Sequence, residues 1–174
     1  MAIERSSKPV ASQRLASVAR RLLDASNLCT IATVGLGSRA YINSAYFAWT
    51  RYFGIVWLSE PRAKHSRNLR TNKTVAIAVY DSAQQWGKPD RGIQLFGTAH
   101  RAEVAEAEAA ERLYAKRFPA FRGTDLEAYR FYVFLPRRLK LLDEESLGAG
   151  TFVSAKLAEG RLVWERTELY RPSA

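Results

Sequence analysis

The N-terminal part of the chain has the hydrophobic spacing of an amphipathic helix. Between residues 12 and 24, Leu15, Val18 and Leu22 fall on one helical face, and basic or polar residues fill most other positions. Residues 1–24 are also rich in basic residues and serine, as organellar transit peptides are. Because a helix that belongs to the fold needs no further assumption, we interpret residues 12–24 as an integral helix.

Downstream of this helix, short apolar segments recur at the spacing of strands in a small β protein. Many are β-branched or aromatic and alternate with polar residues, which favours strands. The predicted strands are residues 28–34, 39–49, 53–59, 74–80, 92–101, 129–135, 139–142, 151–157 and 162–166. Two further helices are predicted at residues 63–71 and 102–117. The second is expected to bury Val104, Ala107, Leu113 and Tyr114.

This pattern indicates the fold class. Many short strands with few long helices predict a mainly β (α+β) fold built on a small barrel with short flanking helices. We expect one domain over residues 1–174, with the barrel over about residues 28–166.

Composition excludes several classes of protein. The 174 residues are 47% hydrophobic, yet no apolar run approaches the ~20 residues of a membrane-spanning helix. The single cysteine, Cys29, lies within a predicted strand and cannot form an internal disulfide. One cysteine and two histidines do not provide a structural zinc site. We expect a cytoplasmic protein without a metal and without a membrane segment.

The basic residues concentrate in one segment. The net charge is +10, and residues 61–73 contain five lysines and arginines, His65 and no acidic residue. A basic surface suits nucleic acid, an anionic surface or a phosphorylated small molecule. The sequence contains no recognised nucleic-acid motif, so a cofactor-free nucleic-acid-binding module is the less favoured alternative.

The position of these charges indicates an anion site. A predicted strand ends at Ser59, a turn follows, and a helix begins among the basic residues. The first backbone N–H groups of a helix are unpaired and lie at the positive end of its dipole. At about 100° per residue, Lys73 faces away from Lys64. The residues expected to serve one phosphate are Arg62, Lys64, His65 and Arg67.

Three stretches of sequence resemble one known family. They are LCTIATV, then FGIVWLS followed by PRAKHSRNLRTNKTVAIAV, and RGIQLFGTAHRAE. In order and spacing they are similar to the pyridoxamine 5'-phosphate oxidase-like, FMN-binding split β-barrels. The resemblance implies a homodimer with FMN in a groove between the subunits, and a flavin-dependent oxidoreductase that transfers hydride or electrons to or from a small molecule.

The resemblance also implies positions for the cofactor. In the family, a hydroxyl at the end of the third strand and a serine-containing basic run hold the flavin phosphate. Ser59 matches the first position, and Lys64 and His65 take the basic places. Ala63 stands where the family has a serine and lacks its hydroxyl, and Arg62 would compensate for this missing phosphate contact. The flavin ring would lie near Asn43, Ser44, Tyr46, Trp57, Leu58 and Gln94.

The cofactor and the reaction stay open at this point. RGIQLFG also resembles the deazaflavin-binding branch, with a glycine where true oxidases have a flavin-contacting glutamine, so deazaflavin is an alternative and a true pyridoxamine-phosphate oxidase is disfavoured. Split barrels also include haem-binding and haem-degrading proteins, for which His65 or His100 would be ligands. The sequence identifies no catalytic acid or base.

Overall fold

The computed structural model describes residues 2–171, except for the side chains of residues 2, 125 and 126. Its strands are β1 (Ala2–Ser6), β2 (Leu28–Val34), β3 (Ala40–Trp49), β4 (Ile55–Ser59), β5 (Thr74–Tyr80), β6 (Arg91–Arg101), β7 (Arg130–Asp143), β8 (Thr151–Ala158) and β9 (Arg161–Arg171). Its helices are α1 (Ser12–Asp24), α2 (Lys64–Thr71), α3 (Val104–Arg117) and α4 (Glu144–Leu147). Short 3₁₀ turns occupy Leu36–Ser38 and Gly123–Glu127.

The strands form one sheet in the order β1-β9-β8-β7-β4-β3-β2-β5-β6. An additional pairing between β6 and β7 joins six of these strands in a closed ring. The fold is therefore a mainly β split barrel with short flanking helices, which confirms the predicted fold class. None of the helices within residues 2–171 is long and apolar enough to cross a membrane.

The described residues divide into two compact units. The first contains residues 2–26, 78–95 and 137–171, and the second contains residues 27–77 and 96–136. The expectation of a single domain stays a prediction.

The second unit is built on the β2–β3 hairpin, whose strands pair from Leu28 with Tyr46 to Val34 with Ala40. One face of β2 is buried at Cys29, Ile31 and Thr33, and the other is only partly covered. Burial raises the pKa of the Cys29 thiol to about 12. The predicted strand cysteine is therefore an un-ionised core residue.

Two helices cover this part of the sheet. From α2, the Asn68 side chain donates a 3.0 Å hydrogen bond from Nδ2 to Thr33 Oγ1, which ties the helix to β2. Against β3, β4 and β7, α3 packs an apolar cluster formed by Ala48, Val56, Ala110, Tyr114 and Phe131.

The first unit holds α1 against β9. As the spacing predicted, α1 buries its apolar face, including Leu15, Val18 and Leu22. At the C-terminal end of α1, Arg21 forms a 2.5 Å ion pair with Asp143, whose side chain is fully buried. The β8–β9 hairpin turns at Glu159 and Gly160, which both have positive φ, as in a two-residue hairpin turn.

Three sequence expectations differ from the structure. Val104 is 80% exposed rather than buried, since it opens α3 and lies outside the apolar cluster. The predicted strands at residues 129–135 and 139–142 are one strand, β7. Pro136 lies between the residues that pair with β4 and those that pair with β8, so its missing N–H removes no bond of either ladder. The strand β1 and the short helix α4 were not predicted.

Candidate functional site

Ser59, at the end of β4, lies in a small polar cluster with the first turn of α2. Its Oγ is 2.5 Å from Nε2 of His65, and Ser66 Oγ donates a 3.1 Å hydrogen bond to it. Ser59 and Ser66 are buried and His65 is half-buried. Burial lowers the pKa of His65. The imidazole is therefore neutral near neutral pH.

The start of α2 has no side-chain cap. Ala63 occupies the N-cap position with an extended backbone, and it forms no capping hydrogen bond. The first intrahelical bond runs from Arg67 N to Ala63 O. The backbone N–H groups of the first turn thus have no partner within the helix, the arrangement that binds anions at helix N-termini.

Several basic side chains surround this helix start. Lys64, Arg62 and Arg67 are exposed, and the ammonium group of Lys64 lies 4.6 Å from the centre of the Tyr41 ring. Arg70, which the helical wheel did not assign to the site, donates a 3.2 Å hydrogen bond to Pro61 O in the preceding turn. The structure joins Ser59 and His65 by a hydrogen bond and leaves Arg62, Lys64 and Arg67 exposed in the same segment. That these five residues bind one phosphate stays a prediction.

The residues predicted for the flavin ring lie on two faces of the sheet. Residues that pair across an antiparallel ladder share a face, and neighbours along a strand alternate. Asn43 pairs with Ile31 on one face, whereas Ser44 and Tyr46 pair with Thr30 and Leu28 on the other. On β4, Trp57 pairs with Phe47 on the face of Asn43. Leu58 is its neighbour and lies on the opposite face.

Two buried polar atoms among the described residues lack a hydrogen-bond partner, and both belong to this predicted set. They are Asn43 Oδ1 and Trp57 Nε1. Trp57 is fully buried, and its ring stacks on Tyr132 with centroids 5.6 Å apart. A cofactor contact by Trp57 would require this core to open, so the structure does not favour it. Asn43 is half-buried as a residue, although its Oδ1 atom is itself buried, and this oxygen is an acceptor without a partner.

An apolar cavity of about 450 Å³ lies beside the opposite face. Its lining is Tyr46, Leu58, Tyr114, Phe118, Ala120, Phe121 and Tyr129. The Tyr114 ring contacts Phe118 and Phe121 at centroid distances of 4.7 and 5.4 Å. Sequence reasoning assigned Tyr46 and Leu58 to the site but missed the aromatic residues after position 113. Their regular recurrence in residues 114–121 was the available signal.

Gln94 lies in the first unit. It is exposed on β6 and lines a cavity of about 260 Å³ together with Arg91, Lys140 and Phe152. The Lys140 ammonium group lies 4.6 Å from the centre of the Phe152 ring. A contact between Gln94 and a cofactor stays a prediction.

The residues of the second unit fit a phosphorylated flavin. Exposed cations and free amide groups at the start of α2 are donors for a phosphate dianion. The unpartnered Asn43 oxygen suits the imide N–H of a flavin ring. No group of three or more His, Cys, Asp or Glu side chains within residues 2–171 is arranged to hold a metal ion.

A sequence model of the family described as pyridoxamine 5'-phosphate oxidase matches residues 15–143. The chain belongs to this family. The match includes β2 to β6, α2 and α3, and therefore every residue predicted for the cofactor. No curated protein matches the chain.

Solved structures share the fold of this pyridoxamine 5'-phosphate oxidase family member. A haem-binding protein from Mycobacterium smegmatis is 21% identical with a TM-score of 0.64, and the match covers 87% of this chain and 60% of that protein. A Clostridium acetobutylicum protein related to general stress protein 26, of the pyridoxinephosphate oxidase family, is 13% identical with a TM-score of 0.63, over 87% and 99% of the two chains. The haem storage protein HutZ from Vibrio cholerae is 16% identical with a TM-score of 0.57, over 75% and 93%.

These identities show a common fold and leave the ligand of this chain open. The chain spans 60% of the length of the M. smegmatis protein. At the start of α2 this chain has Ala63 where the resemblance implies a hydroxyl, and His65 is hydrogen-bonded to Ser59.

Proposed function

We propose that this family member is a flavin-dependent oxidoreductase that binds FMN through the start of α2. The observation that carries the proposal is the uncapped first turn of α2, flanked by the exposed side chains of Arg62, Lys64 and Arg67. Side chains of one sign at the positive end of a helix dipole destabilise each other unless an anion lies among them. A phosphate group provides that anion.

The roles of the residues follow from their places. Lys64 and the first-turn amides of α2 bind the phosphate, and Arg62 and Arg67 add exposed positive charge. Asn43 accepts a hydrogen bond from the ring through its unpartnered Oδ1. When bound, the flavin supplies the hydride or electron transfer, and the protein orients the ring and controls its access to water.

The aromatic cavity supports a proposal about the substrate. Its lining is apolar apart from the hydroxyls of Tyr46, Tyr114 and Tyr129. A volume of about 450 Å³ lies within the usual range of small-molecule sites. We expect the substrate to be a small molecule with a planar apolar part, and we assign no acid or base to its reaction.

A homodimer is the second part of the proposal. On the outer face of the β2–β3 hairpin, Leu28 and Tyr46 are cross-strand partners, and Ile42 shares their face. Ile42 is 73% exposed and Tyr46 is 57% exposed. Exposed apolar side chains on one face are typical of a surface that another protein covers. Light scattering of the purified protein tests this point, since a monomer at micromolar concentration would contradict it.

The experiment that tests the function is a visible spectrum of the purified protein, recorded alone and after addition of FMN, a phosphorylated deazaflavin or haemin. Flavin absorption bands that remain after gel filtration support the proposal. If the protein binds the deazaflavin and neither FMN nor haemin, the proposed cofactor becomes a deazaflavin. A protein that ignores all three compounds but binds DNA or RNA in a salt-dependent manner would be the basic nucleic-acid-binding module instead.

Haem is the alternative that the solved structures favour, since two of those described above are haem proteins by name. Both histidines of this chain are engaged at Nε2: His65 by Ser59 at 2.5 Å, and His100 by Glu106 at 3.0 Å. Ligation of iron through Nε2 would require one of these bonds to break. A Soret band that is lost in His65→Gln or His100→Gln would establish haem binding and replace the flavin proposal.

A further inference from the structure

The Ser59 hydroxyl has one proton and two acceptors within reach. His65 Nε2 lies 2.5 Å from Ser59 Oγ, and the Glu60 carbonyl oxygen lies 3.4 Å from it. The first distance is that of a strong hydrogen bond, and the second is at the outer limit for one. Ser66 Oγ donates to the same oxygen at 3.1 Å, so Ser59 is already an acceptor. We therefore expect the Ser59 hydroxyl to donate its proton to Nε2 of His65.

This use of the proton determines the state of the imidazole. Because burial lowers the pKa of His65, the ring is neutral near neutral pH, with one N–H group and one acceptor nitrogen. If Ser59 donates to Nε2, the imidazole hydrogen must be on Nδ1. The ring then offers an N–H donor from its other side, at the second position of α2.

We propose that Ser66 and Ser59 hold His65 as the Nδ1–H tautomer. In this arrangement His65, rather than Ser59, donates a hydrogen bond to the anion at the start of α2. His65 takes up a proton when this anion binds. The identity of the anion as the phosphate of FMN rests on the proposed function. The inference deepens that function, because it makes Ser59 a positioning residue and makes binding dependent on pH.

The proton balance requires no other reactant. When the dianion binds, one proton moves from solvent to Nε2 of His65, and Nε2–H then donates to Ser59 Oγ. The Ser59 hydroxyl turns its own proton to the Glu60 carbonyl oxygen, its second acceptor. Both charge states of His65 therefore keep a hydrogen bond to Ser59, which a residue without a hydroxyl could not provide.

The surrounding charges give the coupling its sign. The charged residues of the segment around His65 are Glu60, Arg62, Lys64, Arg67 and Arg70, and the residues that β2 and β3 place against α2 are Thr33 and Tyr41. In the free protein, burial disfavours a positive charge on His65. A bound dianion reverses this balance and favours the imidazolium.

The tautomer can be measured in the cofactor-free wild-type protein. The chain has two histidines, so ¹⁵N spectra of the imidazole nitrogens contain two sets of signals, which His65→Gln assigns. We expect His65 to show a protonated Nδ1 and an unprotonated Nε2 at neutral pH. His100 is the internal control in the same spectrum. A neutral His65 with its hydrogen on Nε2 in the wild-type protein would overturn the proposal.

Removal of the hydroxyl tests the positioning role. In Ser59→Ala, Nε2 loses its donor, and we expect the Nδ1–H form to fall from the dominant species to a minority. Ser66→Ala should produce a smaller change in the same direction. The matched control is Ser17→Ala on the exposed side of α1, which should leave the His65 signals unchanged. An unaltered tautomer in a folded Ser59→Ala protein would show that Ser59 does not position His65.

The coupling is tested with inorganic sulfate, a tetrahedral dianion whose charge is constant over the pH range of histidine titration. We expect sulfate, compared with sodium chloride at equal ionic strength, to raise the pKa of His65 and to leave the His100 signals unchanged. Sulfate affinity should weaken by up to about tenfold per pH unit above the pKa of His65 in the free protein. A His65 that does not respond to sulfate would overturn the proposal.

Failure of the inference and failure of the proposed function give different results. If sulfate shifts His65 but FMN does not bind, the anion site and its coupling stand and the flavin is wrong. If FMN binds with its phosphate but neither the tautomer nor the pKa of His65 changes as described, the flavin stands and the coupling is wrong.

Discussion

Replacement of Lys64 by alanine tests the phosphate end of the site most directly. A hydrogen bond between an ammonium group and a phosphate contributes about 1.5–3 kcal/mol. In the free protein the Lys64 ammonium lies 4.6 Å from the centre of the Tyr41 ring, a cation–π contact worth about 0.5–1 kcal/mol at an exposed site. Lys64 gives up part of this contact when it turns to the phosphate. The net loss in Lys64→Ala is therefore about 1–2 kcal/mol, or about five- to thirtyfold in the dissociation constant of FMN.

The control is Lys73→Ala. Lys73 is exposed and follows the C-terminal end of α2. Its replacement therefore removes the same charge from the same basic segment without affecting the first turn of the helix. We expect less than a twofold change. Titration of flavin fluorescence at 0.15 M salt measures both constants, because screening reduces the effect of net charge alone. Equal losses for the two variants would mean that FMN responds to total charge and that the start of α2 does not hold the phosphate.

Three further predictions concern the fold around the site. A Cβ on Gly97 would lie 2.1 Å from the Leu135 carbonyl oxygen, so Gly97→Ala should lower the free energy of unfolding, measured in urea, by about 3 kcal/mol. The control is Gly92→Ala, where a Cβ meets its nearest atom at 3.5 Å and the loss should be less than about 1 kcal/mol. Similar losses in the two variants would contradict the close approach of β6 and β7. Because burial raises the pKa of Cys29 to about 12, a thiol reagent at pH 8 should modify the unfolded chain and leave the native protein unmodified over the same minutes, and fast native labelling would contradict the buried position. A hydrogen bond from the Glu103 backbone, with a further bond from His100, holds the pKa of Glu106 below 4.5, so the carboxylate stabilises the fold above pH 4.5 and loses this effect as the pH falls through its pKa in the folded protein. The difference in unfolding free energy between wild type and Glu106→Gln should therefore narrow below pH 4.5. A constant difference from pH 7 to pH 3 would refute this.

The central strands could be predicted because their sequences satisfy local and tertiary preferences together. Residues 74–80 and 28–34 are β-branched and apolar, and they form strands with the predicted bounds. The strand β1 was missed because AIERS is short and half polar, and it forms only through pairing with β9. Helix α3 was placed correctly, but its few large apolar residues did not define the buried face, so the position of Val104 was wrong.

The candidate site could be predicted as a segment of chain and not as a geometry. The basic run and the strand end before it were visible in the sequence, so the five phosphate candidates could be assigned to one segment of the chain. The hydrogen bond between Ser59 and His65 depends on the path of the turn from Glu60 to Ala63, which the sequence does not specify. The alternation of strand residues was a signal that could have been used. Asn43 and Ser44 are neighbours on β3, so they cannot face one ligand together.

The two ends of the proposed cofactor site differ in what they can distinguish. The start of α2 offers charge and amide donors, which FMN and a phosphorylated deazaflavin would engage equally. Discrimination must therefore come from the ring, where N5 of a flavin accepts a hydrogen bond and the corresponding carbon of a deazaflavin does not. A comparison of FMN with 5-deaza-FMN, which shares its phosphate and its ribityl chain, isolates this difference. If Lys64→Ala weakens both compounds by the same factor while the wild type prefers one of them, phosphate anchoring and ring selection are separate properties, and only the first is carried by α2.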